Sequence, residues 1–404
     1  MRPMTILPKS ALAAALLLAT SLGALAEVPC RTSGSFESWL ADFKQEAIAS
    51  GISRTAVEKG LAGVTYDPAI IKRDHGQAVF QQTFLQFSDR MVSSDRLSRG
   101  PKLLRQHADL FRRIEAKYGV PGAVLVAFWG LETDFGSDLG KYRAPTSVAT
   151  LAYDCRRAEM FRTELTGLLK VVERGDLEPN QMIGDWAGEL GHLMFSPHDY
   201  ARYGTDFDGD GRADVIHSIP DAMASGAAFL QALGWRRGEP WLESVRVPAD
   251  MDWSKADPEV RVSRADWARA GVRAGDGSAL PGGGPEAWLW LPMGRNGPAF
   301  LAYPNFDAYL GWNKAMVYAT TAAYYADRLS GAPALARGRG NVTPLSAESV
   351  RRLQTLLVKR GFSAEEPDGK IGQATRVAVR KAQIAVGLPA DSYPDEALLA
   401  ALSR

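Results

Sequence analysis

Cysteine is scarce in this 404-residue chain: Cys30 and Cys155 are too few for a disulfide-stapled scaffold or a four-thiolate zinc site. Net charge is lacking as well. The 47 Lys and Arg face 46 Asp and Glu, with no basic cluster of the kind that phosphate neutralisation requires, which excludes bulk nucleic-acid binding. Long hydrophobic runs are missing too, since the best one, residues 11–26, would cover about 24 Å of a hydrocarbon core about 30 Å thick. What the chain does have is 46% hydrophobic residues against 23% charged, enough apolar material for two or three domains, so disorder is excluded as its main state.

The run 11–26 follows Arg2 and Lys9 and closes on Ala24-Leu25-Ala26 before Glu27, the pattern of an export signal cleaved after about Ala26. The mature chain is therefore expected without a membrane span, in an exported, oxidising compartment. There its only two thiols are expected to pair, Cys30 with Cys155, which would add about 4 to 5 kcal/mol through loop closure.

From residue 35 to about 233 the apolar spacing is helical. Phe36, Trp39, Leu40 and Phe43 open a first helix, and Val79, Phe80, Phe84, Leu85 and Phe87 mark another. Residues 103–118 form one strong run, stopped by Gly119-Val120-Pro121, and 122–132 is apolar on nearly every face, as a buried helix is. Between about 245 and 300, Trp, Pro, Gly and short alternations such as Ala287-Trp288-Leu289-Trp290-Leu291 predict a small β-containing insertion. Helical spacing returns over 306–329. Residues 330–344 then read as a Gly/Ala/Pro/Arg linker, and 345–404, without a single Trp, as a small separate domain with helices over 347–360 and 373–386.

One carboxylate stands out. Glu132 ends the apolar 122–132 helix, and Gly136 breaks the chain just beyond it. Burial and the negative end of the helix dipole both disfavour its charged form, so it suits a general acid. A buried Glu satisfied by N–H groups or by an Arg fits the same pattern. Asp134, the next carboxylate, lies two residues on and should leave the helix end on a different face.

The stretch Glu132-Thr133-Asp134-Phe135-Gly136 resembles the family of membrane-bound lytic murein transglycosylase B, and the resemblance runs from about 36 to 329. It is carried further by Ala149-Thr150-Leu151-Ala152-Tyr153, Arg156-Arg157, Trp186-Ala187-Gly188, Phe195 and Pro197, Gly234-Trp235, Asn305-Phe306 and Trp312-Asn313. The resemblance implies a mainly α architecture: a lysozyme-like helical catalytic domain over 27–329 with the small β-containing insertion, and a small three-helix C-terminal domain. It implies a periplasmic enzyme that cleaves the β-1,4 bond between N-acetylmuramic acid and N-acetylglucosamine. A family member needs one carboxylate only, because the substrate's own C6 hydroxyl attacks and closes a 1,6-anhydro ring. Glu132 would serve as acid and then base, with no catalytic cofactor. Tyr153, Arg156, Arg157, Asp185, Met194, Phe229, Asn313 and Tyr318 are the expected substrate contacts. Two positions depart from the family: Asp185 stands where Ser is usual and Met194 where Gln is usual, and Met cannot donate a hydrogen bond to a sugar. His192 and His198 stand nearby as polar substitutes or as ordinary satisfied histidines.

Alternate Asp residues at 206, 208 and 210 with Gly211 match the start of an EF-hand loop, although His217 occupies the twelfth position where Glu is expected. The resemblance supplies a closing Asp221 and a backbone carbonyl from Arg212, hence a structural Ca²⁺. The tail, with Gln354, Asp368-Gly369 and Gln383, resembles the small peptidoglycan-binding domain of cell-wall enzymes, so glycan strands and peptide stems are the expected partners. A lysozyme-type hydrolase and a catalytically weak wall-binding scaffold are the competing readings.

Overall fold

In the computed structural model the described residues are 34–76, 82–340 and 342–404. The expected export signal at 1–26, Cys30, Val79 and Phe80 lie outside them. Seventeen α-helices and two small antiparallel sheets make the architecture mainly α among the described residues.

At its centre is helix Gly122–Thr133, GAVLVAFWGLET, in which every residue but Ala123 and Glu132 is buried. Helices Met316–Leu329, Ser94–Gln106, Ala108–Tyr118 and Ile219–Ala232 pack around it. Burying its apolar side chains is what holds it there, at about 1.5–3 kcal/mol for each large one. Close approach is needed on one side: a Cβ on Gly130 would lie 2.9 Å from Phe135 and 3.1 Å from Tyr325.

Two long periodic runs prove to be broken. The run 103–118 spans parts of two helices that meet at His107, whose backbone leaves the helical region. The run 306–329 splits into Pro304–Trp312 and Met316–Leu329 around Asn313, Lys314 and Ala315. Apolar spacing continues across both breaks because each pair of helices faces the same core; only the backbone turns.

The insertion forms a four-stranded antiparallel sheet ordered Arg273–Ala274, Leu242–Arg246, Ala299–Ala302, Trp288–Trp290, with Leu242 opposite Ala302 and Trp288 also opposite Ala302. Its period of two splits the strands between two cores. Trp288, Trp290 and Phe300 face the helical body, while Leu289, Leu291 and Leu301 face a second cluster around Trp253 and Trp267.

The tail holds helices Ala347–Lys359, Gln373–Ala385 and Glu396–Leu402 around Leu353, Leu357, Val379 and Leu398. It contains a repeated device. Gln354 clasps the Asp368-Gly369-Lys370 turn, donating to Asp368 Oδ1 and Lys370 O and accepting from Gly369 N, and Gln383 does the same for Asp391-Ser392-Tyr393. The second turn is pressed against the insertion: Arg295 donates to Asp391 at 2.8 Å, and Arg376 donates to Pro292 O at 2.7 Å with its guanidinium 4.6 Å from the Trp290 ring centroid. Burial lowers the Arg376 pKa to about 10, which still leaves it charged near neutrality.

Candidate active site

Glu132 occupies the last turn of the central helix, where the chain has run out of apolar residues but not out of core. Beyond it Asp134 and Phe135 both adopt left-handed backbone, with φ of 49° and 61°. Non-glycine residues in that region carry strain, which the surroundings must hold in place. The resulting sharp exit lets the helix stop while Phe135 turns back under Trp129, its ring centroid 5.9 Å from the indole.

Two donors reach Glu132 from the broken run near the far end of the body. The Tyr318 hydroxyl donates to Oε1, and Trp312 Nε1 donates to the same oxygen at 3.3 Å. Burial raises the Glu132 pKa to about 7, the hydrogen bonds of Tyr318 and Trp312 oppose that rise, and the Asp185 charge adds to it. Because Oε1 is occupied by two donors, the acid proton belongs on Oε2. Tyr318 stays a donor, since burial and the Glu132 charge push its own pKa far up. The break at Asn313 is what makes this possible: it puts Trp312 at the end of one helix and Tyr318 at the start of the next. Trp312 stacks on Phe128, with centroids 4.3 Å apart, and is backed by Phe195 and Phe229.

Asp134 is disposed quite differently. Arg96 Nε and Arg99 Nη1 donate to its two oxygens at 3.2 and 2.9 Å. Burial works to raise its pKa, but these two arginines outweigh it and the net shift is downward. It is an ionised, paired carboxylate beside an unpaired one.

The opposite wall comes from residues 184–195. Asp185 Oδ1 accepts from Ala187 N and Glu189 N at 2.8 and 2.9 Å, which tightens the turn. Glu189, which sequence reasoning passed over, is a second half-buried acid on this wall. Burial raises its pKa well above the ordinary value, and the charges of Asp185 and Glu132 add to the effect. Leu190 and Phe195 then exchange both backbone hydrogen bonds at 2.8 Å, closing a hairpin. In that hairpin Met194 is forced to φ of 48°.

The other expected contacts divide. Asn313 Oδ1 accepts from Ala315 N at 2.9 Å, and the residue is partly exposed beside Trp312. Phe229 stacks on Tyr203, with centroids 4.9 Å apart, and so stands behind Trp312. Arg156 and Arg157 both pair with the buried Asp74, a partner nothing in their own sequence neighbourhood signals. Tyr153 is turned into the core. Its buried ring packs among Phe36, Trp39 and Tyr66, and its hydroxyl donates to Gly34 O at 2.8 Å. His198 gives its backbone N–H to Glu164 Oε2 at 2.8 Å.

The acidic loop lies on another face of the same body. Carboxylate oxygens of Asp206, Asp208, Asp210 and Asp221 all come within 4.8 Å of one another. Gly209 and Gly211, at φ of 86° and 93°, permit the tight winding. His217, at the twelfth position, pairs with Asp214 at 2.8 Å and is not among the clustered ligand groups. Fully buried Asp221 ties the loop together through Phe207 N and Asp214 N at 2.7 and 2.9 Å. Hard oxygen donors gathered this closely fit Ca²⁺, and Arg212 follows Asp210 after Gly211. As for the expected bridge, Cys155 is not a free thiol.

Comparison with known proteins bears on both parts of the chain. A family described as transglycosylase SLT domain matches residues 35–327, and one described as putative peptidoglycan binding domain matches 346–402. SltB3 from Pseudomonas aeruginosa, solved in complex with NAG-anhNAM-pentapeptide, is 38% identical with a TM-score of 0.85, covering 92% of this chain and 100% of that one. Soluble lytic transglycosylase SltB1 from Pseudomonas aeruginosa is 26% identical with a TM-score of 0.63, covering 72% of this chain and 98% of that one. Membrane-bound lytic murein transglycosylase B of Escherichia coli (strain K12) is 32% identical over 157 residues, which is 39% of this chain and 43% of that protein's length. The chain thus matches less than half of that curated relative.

Proposed function

The chain belongs to the transglycosylase SLT domain family, and from that premise we propose that it is a lytic transglycosylase of peptidoglycan with Glu132 as its one acid/base. The observation that carries this reading is the Glu132 carboxyl itself, raised to about pH 7 and addressed by Tyr318 and Trp312 on a single oxygen. Such a group holds a proton near neutrality and can take it back. Glu132 Oε2 protonates the glycosidic oxygen between N-acetylmuramic acid and N-acetylglucosamine. The substrate's acetamido group stabilises the cationic sugar carbon, and Glu132 then removes the proton from the C6 hydroxyl as that oxygen closes the 1,6-anhydro ring. Intramolecular attack supplies the proximity that a second protein carboxylate provides in ordinary glycosidases. Asp134, paired with Arg96 and Arg99, has no part in these steps.

The remaining assignments belong to the same proposal. Asn313 and the 184–195 wall line the sugar, Arg156 and Arg157 face the peptide stem, and 345–404 holds the enzyme on the wall. Ca²⁺ held by Asp206, Asp208, Asp210, Asp221 and the Arg212 carbonyl would offset the gathered negative charge and stiffen the loop; it takes no part in bond cleavage. We place the protein in the periplasm, with residues 1–26 as its signal and a Cys30–Cys155 bridge. Zymography on murein-containing gels tests the central point: clearing by wild type and none by Glu132→Gln is expected, and equal clearing by both would sink it.

One observation favours a second reading. Asp185 and Glu189 bring two further carboxyls within electrostatic reach of Glu132. Asp185, the one whose charge acts on Glu132, would suit a base for water, which would make the enzyme a hydrolase. Its products would be one water heavier than anhydro products.

A further inference from the structure

The central helix ends in strained backbone at Asp134 and Phe135, and something must hold that end still. His192, from the hairpin wall, is in place to do so. Its ring is buried, at 9% exposure, and Trp129 Nε1 donates to its Nδ1 at 3.0 Å. An indole N–H only donates, so Nδ1 must carry the lone pair and Nε2 the proton. Burial also pushes the His192 pKa down, which favours the neutral ring.

The backbone of the same residue makes two more bonds. Its carbonyl accepts from Thr133 Oγ1 at 2.8 Å, and that hydroxyl oxygen in turn accepts from Gly136 N at 3.0 Å. Its N–H donates to Val215 O at 3.1 Å, tying the hairpin to the acidic loop ahead of its closing Asp221. The fit against the helix exit is tight. A Cβ on Gly136 would lie 2.6 Å from His192 Nδ1 and Cε1, and Gly136 has φ of 81°. Trp129 and Thr133 are one helical turn apart and so share a face. Glu132, on the same last turn, accepts instead from Trp312 and Tyr318.

We propose that His192 is a positioning residue for Glu132: its neutral ring and its carbonyl latch the last turn of the central helix to the hairpin wall and thereby fix where the acid carboxyl points. The proposal rests on Glu132 being the acid/base. A displacement of about 1 Å at a reacting group costs about 10²-fold in rate, so a loosened latch acts on kcat.

The test uses a soluble glycan of defined length, with initial rates followed by chromatography and mass spectrometry. His192→Leu keeps apolar bulk but leaves the Trp129 N–H without an acceptor; kcat is expected to fall about 10- to 100-fold with KM within about twofold of wild type. His192→Asn places an amide oxygen where Nδ1 stood, and is expected to keep kcat within about threefold. Wild-type kcat in His192→Leu, or an Asn variant as slow as the Leu variant, would overturn the latch. If His192→Leu does not fold by circular dichroism, Trp129→Phe removes the donor instead: a kcat loss of about tenfold supports the proposal and an unchanged kcat overturns it. Wild-type enzyme that makes no anhydro product, or Glu132→Gln that equals it, is a different failure, that of the acid/base reading.

Discussion

Glu132 in the cleft and Asp221 in the acidic loop are both carboxyls whose pKa burial raises, yet they are equipped for opposite tasks. Asp221 accepts backbone N–H groups from Phe207, Asp208 and Asp214 on both of its oxygens, and three other carboxylates crowd beside it. Glu132 accepts two side-chain donors on one oxygen and keeps the other for the cleft. Burial alone therefore does not make an acid. What decides is whether the donors enclose the carboxyl, as a loop anchor needs, or leave one oxygen free to exchange a proton.

The comparison is broken most severely at Glu132. Glu132→Gln should lose about 10³-fold in kcat, read as product release from soluble glycan. The same variant has a stability signature. With a folded pKa of about 7 against an ordinary 4.5, the wild-type group contributes stability that is complete below about pH 4.5 and lost as pH rises through about 7. Glu132→Gln should therefore be more stable than wild type at pH 8 by about 1–3 kcal/mol of unfolding free energy, with the smallest difference at pH 4.

Asp221→Asn comes next. An amide cannot accept on both sides, so backbone N–H groups are left without acceptors, and unfolding by urea should show a loss of about 1–3 kcal/mol. Added Ca²⁺ should raise the wild-type melting temperature and leave the variant's unmoved. Tyr318→Phe should reduce kcat about tenfold. Because the Tyr318 hydrogen bond lowers the Glu132 pKa, its loss should carry the alkaline limb of the pH–rate profile to higher pH. Asp185→Asn should have the smallest effect: it removes a charge that raises the Glu132 pKa, so the same limb should move slightly down.

The parts of the fold that rest on local spacing were readable from the chain. The central helix, its terminal Glu132, the alternating strand Trp288–Trp290 and the tail helices each declare themselves within a dozen residues. Helix breaks were hidden at His107 and Asn313, because apolar period carries through a bend when both halves face one core. The partners of the site were hidden for another reason. Trp312 and Tyr318 are 180 and 186 residues from Glu132, and Asp74 lies as far from the arginines in outlook as in sequence, since only the packed helices bring them together. The burial of Tyr153 was hidden because an aromatic beside the Arg pair reads the same whether it faces sugar or core. The signal for Glu189, as for the already named His192, was its place in a turn rich in Gly188 and Gly191, where chemistry-bearing side chains on a tight backbone have little freedom to point elsewhere.

The most direct test of the account is mass spectrometry of purified peptidoglycan digested by wild type and by Glu132→Gln. The account predicts 1,6-anhydromuramic acid ends from wild type and none from the variant; wild-type products one water heavier, or anhydro ends from both proteins, would contradict it.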